Sequence, residues 1–231
     1  MFTCPLCESE LLLAENGSRP LQRCVYCGTE EDCEWRCPLG CYVCEECRAA
    51  SPEVLVERTC LATAEQDPVV VAELLMRHPV FRGHGPAHHL VAGPALLTAC
   101  RNYGRPLRPG AISAAVRRLR NIPLGSCGSR GDCGACVGVG CAVSLLTGAT
   151  YRADKERSLS LKGTAAALAR LAELGGPRCC KQAVYSAIEA GVDYLRKELG
   201  IILPASLPPQ CKFTEAVPDC KGASCAYYRA K

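Results

Sequence analysis

Cysteine is the residue type most able to carry chemistry in this chain, which contains twenty cysteines among 231 residues. Many of them lie two residues apart, and such short loops hold two sulfur atoms where they can chelate one ion. Disulfide scaffolds are instead usually short secreted chains, and the first thirty residues hold two CxxC pairs rather than the apolar core of a signal peptide. We therefore expect thiolates kept reduced for metal ligation, in the cytoplasm.

Two CxxC pairs near the N-terminus have the spacing of a zinc ribbon. Their members are Cys4, Cys7, Cys24 and Cys27. Each pair presents two sulfurs on one tight turn, and two such turns complete a tetrahedron around Zn²⁺. A site closed by four thiolates has no open position, so the spacing predicts a structural zinc site.

A second cysteine cluster follows at once in the run CPLGCYVCEEC. It predicts a second metal site with the four ligands Cys37, Cys41, Cys44 and Cys47. Cys33 is then left over or exchanges for one of the four, and the ligands of the two sites could interleave, as in cross-braced fingers. Four thiolates also suit an iron–sulfur cluster, so the choice between zinc and iron–sulfur stays open at each set.

A Gly- and Cys-rich segment, GSCGSRGDCGACVGVGC, lies at residues 125–141. Cys127, Cys133 and Cys136 are candidate ligands of an iron–sulfur cluster, and the glycines would let backbone N–H groups approach an anion or the cluster sulfurs. Cys179 and Cys180 begin a later predicted helix. Adjacent side chains diverge, so we expect one of these two to be a cluster ligand and one, with Cys179 preferred, to be a reactive thiol.

Three further cysteines lie near the C-terminus, namely Cys211, Cys220 and Cys225. Three ligands are one short of a four-thiolate site. They would either recruit a cysteine from the preceding domain or leave one coordination position open, where an iron of a cluster could hold a substrate.

All four histidines fall between residues 78 and 89. We expect His84 and His88, in the block HGPAHH, to line a site and to act as a general base or as metal ligands. The alternative is a polar loop with solvated histidines.

The elements that position these residues are predicted to be mainly helical. Helical periodicity and capping residues predict helices that begin near Ser51 and Asp67 and helices over 89–103, 110–121, 158–174 and 178–199. The fold class is thus mainly α, with a small Cys-rich zinc-ribbon or knuckle module at 1–50. An α-helical domain with the His loop and the Gly/Cys segment follows at 51–203, and a Cys-containing tail at 204–231 packs on it.

Charge and hydropathy exclude several classes of function. The net charge is only +4 and is spread along the chain, without interleaved aromatic and basic residues, so nucleic acid is not an expected partner. No run of 18 apolar residues predicts a membrane span.

Several of these motifs resemble DUF5714, a family of unknown function. The matching pieces are HGPAHH, GSCGSRGDCGACVGVG with its following LLTGATY, GGPRCCK and CPLGCYVCEEC. The family occurs in anaerobic bacteria and archaea, sometimes joined to methyltransferase-like domains, and its zinc module often reads GHYVC, so the resemblance implies that Cys41 replaces a histidine ligand. A weaker resemblance is to iron–sulfur-dependent serine dehydratases and cysteine desulfidases, which combine a His-containing loop with Gly-Ser-Cys-Gly segments around an open cluster.

Two functions are consistent with these patterns. The first is an enzyme with zinc and an iron–sulfur cluster that acts on a small sulfur-containing or hydroxylated substrate, or in sulfur or methyl transfer. The second is a non-catalytic zinc-binding adaptor that docks a methyltransferase or a metal-handling partner.

Overall fold

The computed structural model of the protein describes residues 2–214, Val217 and residues 219–229. Its N-terminal part contains four short strands, which are β1 (Leu12–Leu13), β2 (Leu21–Arg23), β3 (Glu30–Asp32) and β4 (Trp35–Arg36). They form two antiparallel ladders, β1 with β4 and β2 with β3. Each ladder is only two or three residues long, so this part of the chain needs another source of stability.

Helices dominate the remaining regular structure of the described chain, which confirms the mainly α fold class. The helices are α1 (Glu45–Arg48), α2 (Pro52–Ala62), α3 (Pro68–Arg77), α4 (Ala92–Asn102), α5 (Ala111–Leu119), α6 (Ser126–Ser129), α7 (Gly134–Thr147), α8 (Lys155–Leu174) and α9 (Cys180–Leu199). Short 3₁₀ turns occupy Pro79–Phe81 and Pro86–Leu90, so the predicted helix over 89–103 begins three residues later than expected. None of the helices in the described ranges has the length and apolarity that crossing a membrane demands.

The helix ends follow the sequence signals. Ser51 accepts a hydrogen bond from the Val54 N–H at the start of α2. Asp67 does the same for the Val69 N–H at the start of α3, and its second carboxylate oxygen accepts a hydrogen bond at 2.8 Å from the Ser206 N–H. The helix cap therefore also fixes the polypeptide that leaves α9.

Helix α7 lies at the centre of the bundle, against α4, α5, α8 and α9. Its glycines permit this close packing. A Cβ atom on Gly138 would lie 2.9 Å from the backbone nitrogen of Gly93 in α4, and one on Gly140 would lie 2.0 Å from Oγ1 of Thr164 in α8. The expectation that the glycines of this segment open the backbone to a ligand is wrong for these two, because helical neighbours fill the space.

The N-terminal module and the tail share one apolar core with the helices. Tyr26 of the module is 1% exposed and packs edge-on against His78 at the end of α3, with ring centroids 5.2 Å apart. Phe213 and Tyr227 of the tail are buried in the same core. The domain boundaries near residues 50 and 203 stay predictions.

Candidate metal centres and a cysteine-lined cavity

Eight cysteines of the N-terminal module form two groups of four. One group is Cys4, Cys7, Cys37 and Cys41, and the other is Cys24, Cys27, Cys44 and Cys47. Within each group the sulfur atoms all lie within 4.8 Å of one another, with Cys7 and Cys37 at 3.4 Å and Cys27 and Cys44 at 3.6 Å. Four sulfurs bonded to one Zn²⁺ at ~2.3 Å stand ~3.8 Å apart. Both groups therefore have the geometry of a single-ion site.

The grouping by consecutive pairs is wrong, and the interleaved arrangement is the correct one. Pairing of β1 with β4 brings the chain after Arg36 beside the first CxxC turn. Cys37 and Cys41 consequently join Cys4 and Cys7. Cys33, between β3 and β4, belongs to neither group and is the spare cysteine.

The thiols of each group cannot all ionise without a cation. A hydrogen bond with the Ser9 hydroxyl lowers the pKa of Cys7 to about 6, whereas burial and the neighbouring Cys7 sulfur raise the pKa of Cys41 to about 12. Burial likewise raises the pKa of Cys44 to about 11. A bound divalent cation would supply the charge that lets the remaining thiols ionise, so metal affinity at both groups would depend on pH.

A cavity of about 310 Å³ lies among the 3₁₀ turn Pro86–Leu90, α6, the start of α7, the end of α8 and the start of α9. We call it the cysteine cavity. Four candidate residues line it, namely Cys127, Cys133, Cys179 and Cys180. The structure thus unites cysteines that are up to 53 residues apart in sequence.

Cys136 lies behind the wall of this cavity rather than on it. It is fully buried, and its sulfur lies 3.4 Å from the carbonyl oxygen of Ala167. Interaction with the Cys136 thiol lowers the pKa of Cys133 to about 6. Cys136 therefore supports a thiolate at Cys133 and does not face the space that a ligand would occupy.

His88 and Lys181 belong to one buried hydrogen-bond network. The Lys181 ammonium group, on a side chain only 1% exposed, donates to the carbonyl oxygens of Phe81 at 3.0 Å and Gly83 at 3.1 Å and to Nε2 of His88 at 3.3 Å. Nδ1 of His88 then carries the proton and donates to the Gly85 carbonyl at 3.3 Å. Burial lowers the pKa of His88 to about 3, so it stays neutral and holds the His loop in shape.

His84 touches the cysteine pair from outside the cavity. Its Nδ1 accepts a hydrogen bond from the backbone N–H of Cys180 at 3.3 Å, which leaves the proton on Nε2. That Nε2 atom is buried without a partner. Burial and the charge of Arg178 lower the pKa of His84, so the alternative of a solvated polar loop is wrong.

The sequence interpretation missed two residues of the cavity wall, His89 and Gln182. Nδ1 of His89 is 3.2 Å from the Ile122 carbonyl, which makes Nδ1 the donor and leaves Nε2 as a basic atom. Gln182 is 4% exposed, and its Nε2 has no partner. His89 adjoins a residue that was singled out, but nothing in the sequence marks Gln182.

The C-terminal cysteines surround a second, smaller cavity of about 20 Å³. Cys211, Cys220 and Cys225 line it together with Cys179. Within the described part of the chain, only the two N-terminal groups bring three or more ligand atoms within 4.8 Å of one another, so no three of these four sulfurs lie that close together.

The family of unknown function DUF5714 matches residues 56–228, about three quarters of the chain. The chain belongs to this family. The DUF5714 match covers the His loop, the cysteine cavity and the C-terminal cysteines, and it begins after the last N-terminal cysteine. Comparison with curated proteins and with solved structures finds no match.

Proposed function

We propose that this DUF5714 protein is an iron–sulfur enzyme stabilised by two structural zinc ions, acting on a small sulfur-containing or hydroxylated molecule. The observation that carries the proposal is the cysteine cavity, where cysteines from three separate segments line one space of about 310 Å³. Sites of this volume accommodate small ligands. A purely apolar binding pocket does not need several cysteines on its wall, so their presence favours a metal centre.

The residues of the cavity fit an iron–sulfur cluster with three protein ligands. Cys127, Cys133 and Cys180 are the proposed ligands, because Cys179 and Cys180 diverge from adjacent positions and only Cys179 also borders the smaller cavity. Cys133 has the low pKa of a ready thiolate, and it caps the N-terminus of α7, where negative charge is favoured. A cluster held by these three thiolates would supply an iron with an open position, which could act as a Lewis acid.

Other groups on the wall suit substrate binding. Arg178 lines the cavity and provides a fork for a carboxylate. His89 presents a neutral imidazole whose burial lowers its pKa, so its Nε2 is available to accept a proton at neutral pH. This assigns the general base to His89 and leaves His84 and His88 to position the loop, in place of the direct roles that the sequence suggested.

Zinc is the proposed metal of the N-terminal module. Each group of four sulfurs is spaced for one ion, and Zn²⁺ is the usual ion of closed four-thiolate sites. The short ladders then gain stability from the metals. Thiolate sites of both kinds suit the reducing conditions of the cytoplasm.

Metal and sulfide analysis of anaerobically isolated protein tests the proposal. We expect zinc together with iron and acid-labile sulfide, and a brown visible spectrum. Cys133→Ala should contain less iron and sulfide than the parent but keep its zinc, whereas Cys33→Ala, at the spare cysteine, should match the parent in all three. A colourless preparation with zinc alone would refute the enzyme proposal.

A non-catalytic adaptor is the second candidate, and one surface favours it. A groove of about 870 Å³ runs between the module and the helices, and basic side chains from both the helical part and the tail line it, including Arg77, Arg82 and Lys212. Such a groove would suit an acidic segment of a partner, for which a methyltransferase-like protein remains the proposal. The adaptor predicts zinc without iron or sulfide, so the same analysis separates the two functions.

A further inference from the structure

We infer that Cys179, Cys211, Cys220 and Cys225 hold a second iron–sulfur cluster, closed by four thiolates and separate from the one proposed in the cysteine cavity. This inference extends the proposed function but does not depend on the first cluster. Its basis is the placement of four cysteines from the tail and α9 around one small cavity.

The tail folds back so that its cysteines face the start of α9. The Cys211 N–H donates to the Tyr227 carbonyl at 2.7 Å, which closes the tail into a loop, and Tyr227 is itself buried. Its hydroxyl donates to Glu189 of α9 at 2.8 Å. On the other side, Lys212 forms an ion pair with the buried Glu73 of α3. These contacts fix the tail against two helices.

Two of the four sulfur atoms already accept backbone hydrogen bonds. The Phe213 N–H points at the Cys211 sulfur, and the Gln182 N–H points at the Cys179 sulfur, each at 3.4 Å. Backbone N–H groups directed at cysteine sulfur stabilise thiolates and are among the interactions that tune iron–sulfur clusters. Both N–H groups are therefore placed where they would stabilise a ligating thiolate.

The dimensions favour a cluster over a single ion. Four sulfurs around one zinc at ~2.3 Å leave no room for a water molecule between them. The C-terminal set surrounds a cavity of about 20 Å³, and no three of its sulfurs lie within 4.8 Å of one another, unlike the sulfurs of both N-terminal groups. A polynuclear core separates its cysteine ligands more widely than one ion does, which matches this wider set.

Gln182 supplies a second, independent sign of a ligand. This side chain is 4% exposed, borders both cavities and carries a buried amide nitrogen without a partner. A buried donor without a partner destabilises the folded state. A cluster sulfide in either cavity is an acceptor that would satisfy it.

The inference also explains why two cysteines are adjacent. Neighbouring side chains at Cys179 and Cys180 cannot readily bind the same iron atom, so the pair is divided between two sites. Cys179 borders the small cavity with the tail cysteines, and Cys180 borders only the larger one.

Iron, sulfide and zinc are measured per chain in the anaerobically isolated full-length protein and in three variants. The informative variant is Cys220→Ala, because Cys220 is exposed and its replacement removes no core packing. It is compared with Cys133→Ala and with the control Cys33→Ala. We expect Cys220→Ala and Cys133→Ala each to lose one cluster and keep the other, with zinc unchanged in both, and Cys225→Ala to match Cys220→Ala.

The outcomes separate the two proposals. Loss of iron in Cys220→Ala but not in Cys133→Ala supports the tail cluster and refutes the one in the cysteine cavity. Parent-level iron and sulfide in both Cys220→Ala and Cys225→Ala refutes the tail cluster, as does loss of zinc in place of iron. Loss of all iron from both Cys220→Ala and Cys133→Ala, each with the circular dichroism of the parent, would mean one shared cluster and would also refute it.

Discussion

Gly134→Ala is the most direct test of how the cysteine cavity is built. Gly134 is the first residue of α7 and directly follows Cys133. A Cβ atom there would lie 2.2 Å from Cγ and 2.6 Å from Cβ of His89. The imidazole ring cannot simply swing away, because Nδ1 is bonded to the Ile122 carbonyl. Either the ring or the start of α7 must move by more than 1 Å to restore a contact of about 3.4 Å.

The cost of this overpacking is about 1–3 kcal/mol. For a chain of this size that lowers the melting temperature by roughly 2–4 °C per kcal/mol, as measured by calorimetry. We also expect Cys133 to shift, so that iron content falls with stability. If Gly134→Ala has the stability and iron content of the parent, the contact between α7 and His89 does not shape the cavity.

Three further predictions concern single side chains. The folded-state pKa of His88, about 3, lies below its unfolded value. The stability that neutral His88 contributes is therefore present above about pH 6.5 and is lost as pH falls toward 3. Urea titrations should show that the free energy of unfolding falls by about 2 kcal/mol less in His88→Gln than in the parent between pH 7 and pH 5. Parent-like pH dependence of the variant would contradict this. Cys41→Ser should lose zinc from the module and expose it to protease, whereas Cys33→Ser should match the parent in both assays. Gln182→Leu removes a donor to cluster sulfur, and if that bond contributes about 1.5 kcal/mol, the reduction potential falls by about 60 mV; an unchanged potential would mean that the amide does not face a cluster.

The helices could be predicted from sequence because their signals are local. Asp67-Pro68 marks the start of α3, and Gly200, with φ of 65°, ends α9 as expected. A cap and an apolar period depend on neighbouring residues alone. The ligand set of the module could not be chosen in this way, because it depends on which strands pair.

The Gly/Cys segment is a second case in which tertiary contacts could not be predicted from the sequence. Gly138 and Gly140 look like loop residues in the sequence, yet they lie inside α7 where other helices press on the backbone. Tertiary contact, rather than backbone freedom, requires glycine there. Gln182 was invisible for a similar reason, since its importance comes from lining two cavities that only the folded chain creates.

The interleaved ligand order of the module has a consequence for how it loads its metals. Cys24 and Cys27 lie between the two halves of the first site, and Cys37 and Cys41 lie between the two halves of the second. When an ion joins the two halves of one site, it closes a loop that contains one half of the other site. Binding of the first ion therefore carries most of the entropy cost of loop closure. The second ion then has a shorter free loop to close. We therefore expect the two ions to bind cooperatively, with half-loaded protein scarce, so that removal of one ion by a chelator releases the other.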